Sequence, residues 1–261
     1  MKYVRLLTIQ LRISLASAMA YRANFLLEGV MGLAWMALTL LPLVVLYQVR
    51  PTVNGWDFSA ALIVMAYFTG LRALLEGVVS PSLVDLVEKI RSGSFDYVLL
   101  KPVDAQAVVS ASRYEPWKIF DMLIAIGMIA YAFWRRGEVP TVPHVLLGLA
   151  LFAAGAFAMY ALWIVCAAAS FWVGRLDNLM YLLGAIFDVG RWPVYVLPGL
   201  WRLIFTFIIP IAVMTTFPAM AMLGTLDAER ALATVGGAIV MLVISRLVWR
   251  AAIRNYTSAS S

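Results

Sequence analysis

Along the chain, apolar residues gather into blocks of bilayer length separated by short polar stretches that carry most of the charge. A hydrocarbon core takes about 20 apolar residues per helix. Five blocks meet that length or approach it: Asn24 to Tyr47, Ser59 to Val79, Trp117 to Trp134, Val145 to Ser170, and Ala231 to Trp249. Between the last two lies a sixth apolar region, Leu176 to Gly224, interrupted by Arg191, Pro193, Pro198, Arg202, Pro210 and Pro218. It is too long for one span. It must hold a spanning helix plus a segment that enters the membrane and turns back, or a span plus a surface helix. The expected architecture is all-α: a polytopic membrane protein with spans at 24–47, 59–79, 117–134, 145–170, 176–190 and 231–249, and a re-entrant region at 191–224.

The polar stretches add detail. Residues 1–22 read as an interfacial helix, with Lys2, Arg5 and Arg12 on one stripe and Tyr3, Leu6, Leu7 and Leu11 as lipid-facing bulk; Ile9 falls in the basic stripe and spoils the separation. Arginines through Met1 to Tyr21 also argue against a cleavable signal peptide. After the second block, Pro81 and Ser82 open a short amphipathic helix over 81–93, in which Leu83, Leu86, Val87 and Ile90 form a stripe and Gly93 is the stop. Such a helix either lies on the membrane or docks in the groove of a soluble partner.

Composition agrees with the blocks. Hydrophobic residues make up 64% and charged residues 13%, against roughly 45–50% and about 25% in an ordinary soluble domain. Mean hydropathy is +0.91. The net charge of +6 reflects placement rather than nucleic-acid binding, because membrane proteins retain Lys and Arg on the cytoplasmic side. With the N-terminus inside, Lys2, Arg5, Arg12, Arg22, Lys89, Arg91, Lys101, Arg113, Lys118, Arg175, Arg246, Arg250 and Arg254 fall inside, and Arg50, Arg135, Arg136 and Arg230 outside. Both termini are therefore expected in the cytoplasm.

Catalytic chemistry finds little to use. A single cysteine, Cys166, and a single histidine, His144, leave no disulfide framework and no thiolate or multi-histidine metal site. The chain lacks a phosphate-cradling G-x-x-x-x-G-K-[ST] loop, a G-x-S-x-G elbow and an H-E-x-x-H helix. No residue is assigned as catalytic and no metal or cofactor is expected to bind directly. Charge inside the membrane is costly and marks function by default. Arg72 and Glu76 stand at i, i+4 on the second span, spaced to pair as a structural or gating element. Glu28 and Asp121 lie close to the inner ends of the first and third spans, and Asp188 lies deeper if the fifth span starts near Leu176.

At the loop after the second span the chain resembles the permease subunits of type 2 ATP-binding-cassette exporters, in particular a bacterial group of short six-span permeases. The resemblance rests on Ile90-Arg91-Ser92-Gly93-Ser94-Phe95-Asp96-Tyr97-Val98-Leu99-Leu100-Lys101-Pro102. It extends to Pro193-Val194-Tyr195 through Trp201-Arg202, to Phe205 through Pro210, and to Trp249-Arg250 with Arg254 through Ser260. It implies that 81–93 holds a coupling helix that docks on an ATPase dimer, with Leu83, Leu86, Val87, Glu88, Ile90, Arg91, Phe95 and Asp96 at or beside the contact. ATP and Mg would then be bound by that partner. It also implies a second permease subunit, identical or related, a bacterial cytoplasmic (inner) membrane location, and an outer placement for 191–202, where charge counting alone would allow an inner one. Two other classes remain open on the residues, a lipid-modifying membrane enzyme and an ion-coupled secondary carrier. The transported substrate stays open as well.

Overall fold

The computed structural model describes residues 2–20, 22–172 and 177–256. Arg175 and residues 257–260 of the C-terminal motif lie outside the described residues, as do the side chains of Lys2, Tyr3, Arg5, Leu6, Leu7 and Arg22. The chain is an all-α polytopic membrane protein; among the described residues five helices are long and apolar enough to cross a bilayer, or six with a bent pair counted as one.

Helix α1 (Lys2–Ala20) precedes α2 (Arg22–Val49), whose candidate span is Phe25–Val49. A two-residue hairpin, β1 (Thr52–Val53) and β2 (Trp56–Asp57), then reverses the chain. Its corner is Asn54-Gly55, both at positive φ (50° and 83°), the turn whose twist suits an antiparallel pair. The Asp57 carboxylate caps α3 (Phe58–Leu74), accepting from the Ala60 N–H at 2.7 Å.

A difference from expectation follows α3. No loop separates the second span from the amphipathic helix: a π-helical turn at Leu75–Val79 joins α3 to α4 (Ser80–Arg91), and the whole runs Phe58–Arg91, 34 residues. That is about 51 Å of helix, against a hydrocarbon core of about 30 Å. Pro81 lacks an N–H and would normally orphan the carbonyl of Gly77 four residues back. Here the Glu115 N–H donates to that carbonyl at 2.8 Å, so the helix persists through a residue that reads as a start signal.

Short helices α5 (Asp96–Leu99) and α6 (Ala105–Val109) lead to α7 (Ile119–Arg136), which ends at Gly137 in the left-handed region (φ 64°), and then to α8 (Val142–Ala168). The proline-broken region contains α9 (Asp177–Phe187), α10 (Gly199–Leu203) and α11 (Phe217–Met222), with π-helical turns at Ile204–Ile208 and Ala212–Thr216. The 27-residue α12 (Ala228–Arg254) completes the chain.

The expected span at 176–190 falls on α9, of which the described residues show 11, about 17 Å of helix, continued by a 3-10 turn at Asp188–Arg191. Pro193 drives Trp192 out of helical geometry (φ −107°, ψ 145°). The chain instead reaches the hairpin, where Tyr195 stacks on Trp56 (centroids 6.4 Å) and its carbonyl accepts from Asn54 Nδ2 at 3.1 Å. Segments Gly199–Ile208 and Ala212–Met222 follow, bent by 76°. The second limb climbs beside α8. A Cβ on Gly155 would stand 2.9 Å from Met214 Cα, one on Gly148 3.3 Å from Met222 Cβ, and one on Gly224 2.6 Å from the His144 ring. The region therefore enters from the hairpin end and returns there, as a re-entrant segment does.

That limb, 211–222, is buried throughout, as is most of α3. The core is thus α3 and the re-entrant limb against α8, with the lightly buried α2, α7 and α12 around them. Small residues at Gly148, Gly155 and Ala158 admit this close backbone approach.

Candidate functional site

Two constructions stand out: the projecting unit at the α4 end, and a line of charges within the helices.

The α4 unit is anchored by its apolar side. Leu83 and Leu86 are fully buried and Val87 nearly so. Gly93 at φ 72° turns the chain so that Phe95, also fully buried, enters a box of Phe171, Trp249 and Tyr256, with centroids 5.4, 6.4 and 5.2 Å away. Leu83, Leu86, Val87 and Phe95 therefore pack inside the chain rather than standing open to a partner. Helical spacing marks Leu83, Leu86 and Val87, with Ile90, as one stripe, and the cover of the first three proves to be the chain itself. Of the residues expected at a contact, Glu88 and Arg91 are exposed, while Ile90 and Asp96 are half-buried. The chain adds exposed side chains that spacing did not single out: Val84, Tyr97, Leu99 and Leu100.

Further ties bind this unit to the spans. The Ser82 hydroxyl donates to the Arg113 carbonyl at 2.9 Å and accepts from the Arg113 N–H at 3.1 Å. Arg246 of α12 pairs with Asp104 and donates to Gln106 Oε1 at 2.6 Å. The Arg246 hydrogen bond, with help from the Ala107 N–H, holds the Asp104 carboxyl below its usual range despite partial burial. Burial, and then the nearby Asp96 carboxylate, push the Tyr256 phenol up.

The second construction grows from Arg72 and Glu76. Arg72 Nε donates to Glu76 Oε1 at 2.7 Å, the i, i+4 pair that spacing predicts. The structure extends it in both directions. Glu76 Oε2 meets Lys118 Nζ at 2.5 Å, and Lys118 reaches Asp121 at 3.1 Å. Arg72 Nη1 donates to Asp188 Oδ1 at 3.1 Å, and Asp188 Oδ2 stands 3.0 Å from Arg191 Nη2. The Arg191 guanidinium lies over the Phe68 ring, 5.6 Å from its centroid. Acid and base alternate along this path, so its six charges cancel. Cancellation matters here, because Arg72 lies about 21 Å along α3, within the depth of a bilayer. Sequence reading had placed Lys118 on the inner rim and left Asp121, Asp188 and Arg191 as separate residues. The i, i+3 spacings Lys118–Asp121 and Asp188–Arg191 were the available signal.

The path is not sealed. Arg72 and Asp188 side chains are each 41% exposed in the single chain, more than charges facing hydrocarbon would tolerate, so this face meets protein or water. Cavities of about 1040, 670 and 490 Å3 surround it, and Glu76 lines all three.

A family model described as "ABC-2 family transporter protein" matches residues 33–260. No curated protein and no solved structure matches the chain. The matched stretch takes in the long helices from within α2 to α12, the α4 unit and the whole charged path. The chain accordingly belongs to the ABC-2 transporter family, as a membrane permease of an ABC transporter.

Proposed function

We propose that the protein is an exporter subunit which forms half of a translocation pathway and receives work from a separate ATP-binding-cassette ATPase dimer through the α4 end. The observation that carries this reading is the unbroken helix Phe58–Arg91. A helix that continues from the core of the bundle into an exposed polar end transmits a push as a rigid-body movement. Its exposed side chains Glu88, Arg91 and Val84, with Tyr97 and Leu100 beside them, would meet the ATPase, and the buried face would pass the displacement to α8 and α12. ATP and Mg belong to the partner in this scheme.

Orientation supports it. Lys89, Arg91, Lys101, Arg113, Arg250 and Arg254 gather at the α4 end, while Arg50, Arg135, Arg136 and Arg230 mark the hairpin end. By the positive-inside rule the α4 end is cytoplasmic, and α1 and the end of α12 lie there too. A bacterial inner membrane is the setting. The exposed charged path would face a second permease subunit, identical or related, or the pathway between the two.

The test is co-purification with the ATPase. Glu88→Arg with Arg91→Glu should abolish ATPase retention while the chain still inserts with its helices intact. Undiminished retention and transport in that double variant would remove α4 from the coupling role.

A further inference from the structure

A cavity of about 1040 Å3 forms a chamber at the α4 end between α1, α4 and residues 112–118; Gln10, Ser14 and Ser17 of α1 form one wall. A groove of about 490 Å3 rises from it between α2, α3 and α7, past Met31, Trp35, Met36 and Phe68. Glu28, Glu76 and Lys118 belong to both walls, so the two spaces meet at a charged ring. The groove carries Arg72 and Asp121 on one side and Met31, Trp35, Met36 and Phe68 on the other; a polar chamber opening into a groove with one apolar wall can take an amphiphile. The groove is open to the bilayer along α2, whose Met31 and Trp35 are exposed.

The charges specify the headgroup. In the chamber wall Glu76 is paired with Lys118, and Asp85 with Lys89. Glu28, Glu115 and Arg113 form no ion pair among the described residues. Burial pushes the Glu115 carboxyl above its usual range against the pull of Lys118 and, more weakly, Arg113, with the like charges of Glu28 and Glu76 adding to the rise, so a cation arriving there relieves repulsion. Two carboxylates and a guanidinium outside any direct ion pair complement a group carrying both an ammonium and a phosphate.

We propose that this cleft holds a zwitterionic phospholipid from the leaflet at the α4 end, its ammonium at Glu28 and Glu115, its phosphate toward Arg113, and an acyl chain along Met31, Trp35 and Phe68. The lipid is held by the permease alone, so the proposal stands or falls separately from ATPase coupling.

Native mass spectrometry of the detergent-purified chain tests it, with phosphatidylethanolamine and phosphatidylglycerol of matched acyl chains as probes. Phosphatidylethanolamine should be retained about tenfold more tightly, and Glu28→Gln with Glu115→Gln should erase that preference at unchanged helix content. Should the double variant fail to fold, Glu28→Gln alone, at an exposed position, should still narrow the preference. Phosphoethanolamine without acyl chains should compete weakly. Equal retention of the two lipids, an unaltered preference in a folded variant, or full competition by the bare headgroup would each overturn the proposal. So would a variant that splits a dimer and leaves lipid retention untouched, since the cleft would then be a subunit interface.

Discussion

Arg72 and Asp188, 116 positions apart, are joined by a 3.1 Å hydrogen bond from Nη1 to Oδ1. The bond ties the central helix α3 to the 3-10 turn that follows α9, within the depth of a bilayer, where an uncompensated charge is costly. Arg72→Gln and Asp188→Asn should each destabilise the detergent-purified chain by about 1–3 kcal/mol, less than the loss of a fully buried pair because both side chains are partly exposed. The double variant should cost less than the sum of the two. Strictly additive losses in detergent-denaturation curves would mean that the pair is not coupled.

Gly155 and Gly127 provide a contrast within the spans. A Cβ at Gly155 would press on the Met214 backbone at 2.9 Å, whereas one at Gly127 meets nothing within 4 Å. Gly155→Ala should cost about 1–3 kcal/mol by overpacking. Gly127→Ala should be neutral or stabilise by up to about 1 kcal/mol through helix propensity. Thermal unfolding of the two variants side by side checks both signs.

Phe95 and Leu100 separate scaffold from surface in the α4 unit. Phe95 is fully buried in its aromatic box and Leu100 is 80% exposed. Phe95→Ala should lose about 3–5 kcal/mol of stability. Leu100→Ala should leave stability within about 0.5 kcal/mol and weaken ATPase retention. If Leu100→Ala unfolds the chain and Phe95→Ala does not, the inward and outward faces have been exchanged.

Asp104 makes the contact with α12 sensitive to acid. Arg246 holds its carboxyl below the ordinary value of 3.8. A carboxylate with a depressed folded-state pKa contributes stability that is present above the unfolded value and is lost as pH falls through the folded one. Acid unfolding below about pH 4 should therefore include a component that Asp104→Asn removes. An identical acid limb in Asp104→Asn and the parent chain would show that the pair does not titrate with folding.

Much of the frame was legible from residues alone. Five apolar blocks became five long helices because bilayer length and backbone hydrogen bonding leave a chain few alternatives. The i, i+4 spacing of Arg72 and Glu76 was enough to pair them. Spacing could not supply Asp188, since that contact depends on where α9 packs. Likewise the stripe Leu83, Leu86 and Val87 was readable as a shared face, while its cover was not, because periodicity reports which side chains align and says nothing of what lies opposite. Pro81-Ser82 misled for a related reason: a proline reads as a helix start until a distant N–H, that of Glu115, satisfies the carbonyl it leaves free.

The amino-acid sequence by itself determined that this chain lives in a membrane as a helical bundle whose basic residues gather mostly at one rim. Those properties follow from composition and short-range spacing, which act before the helices meet. Tertiary structure decided that the proline-broken region supplies the most buried limb of the core, that the second span and the amphipathic helix are one rod, and that six scattered charges form one neutral path. Each of those depends on a long-range contact, Gly155 with Met214, Gly77 with Glu115, Arg72 with Asp188, in which the energy of close packing or charge pairing overrides the local preference of either partner.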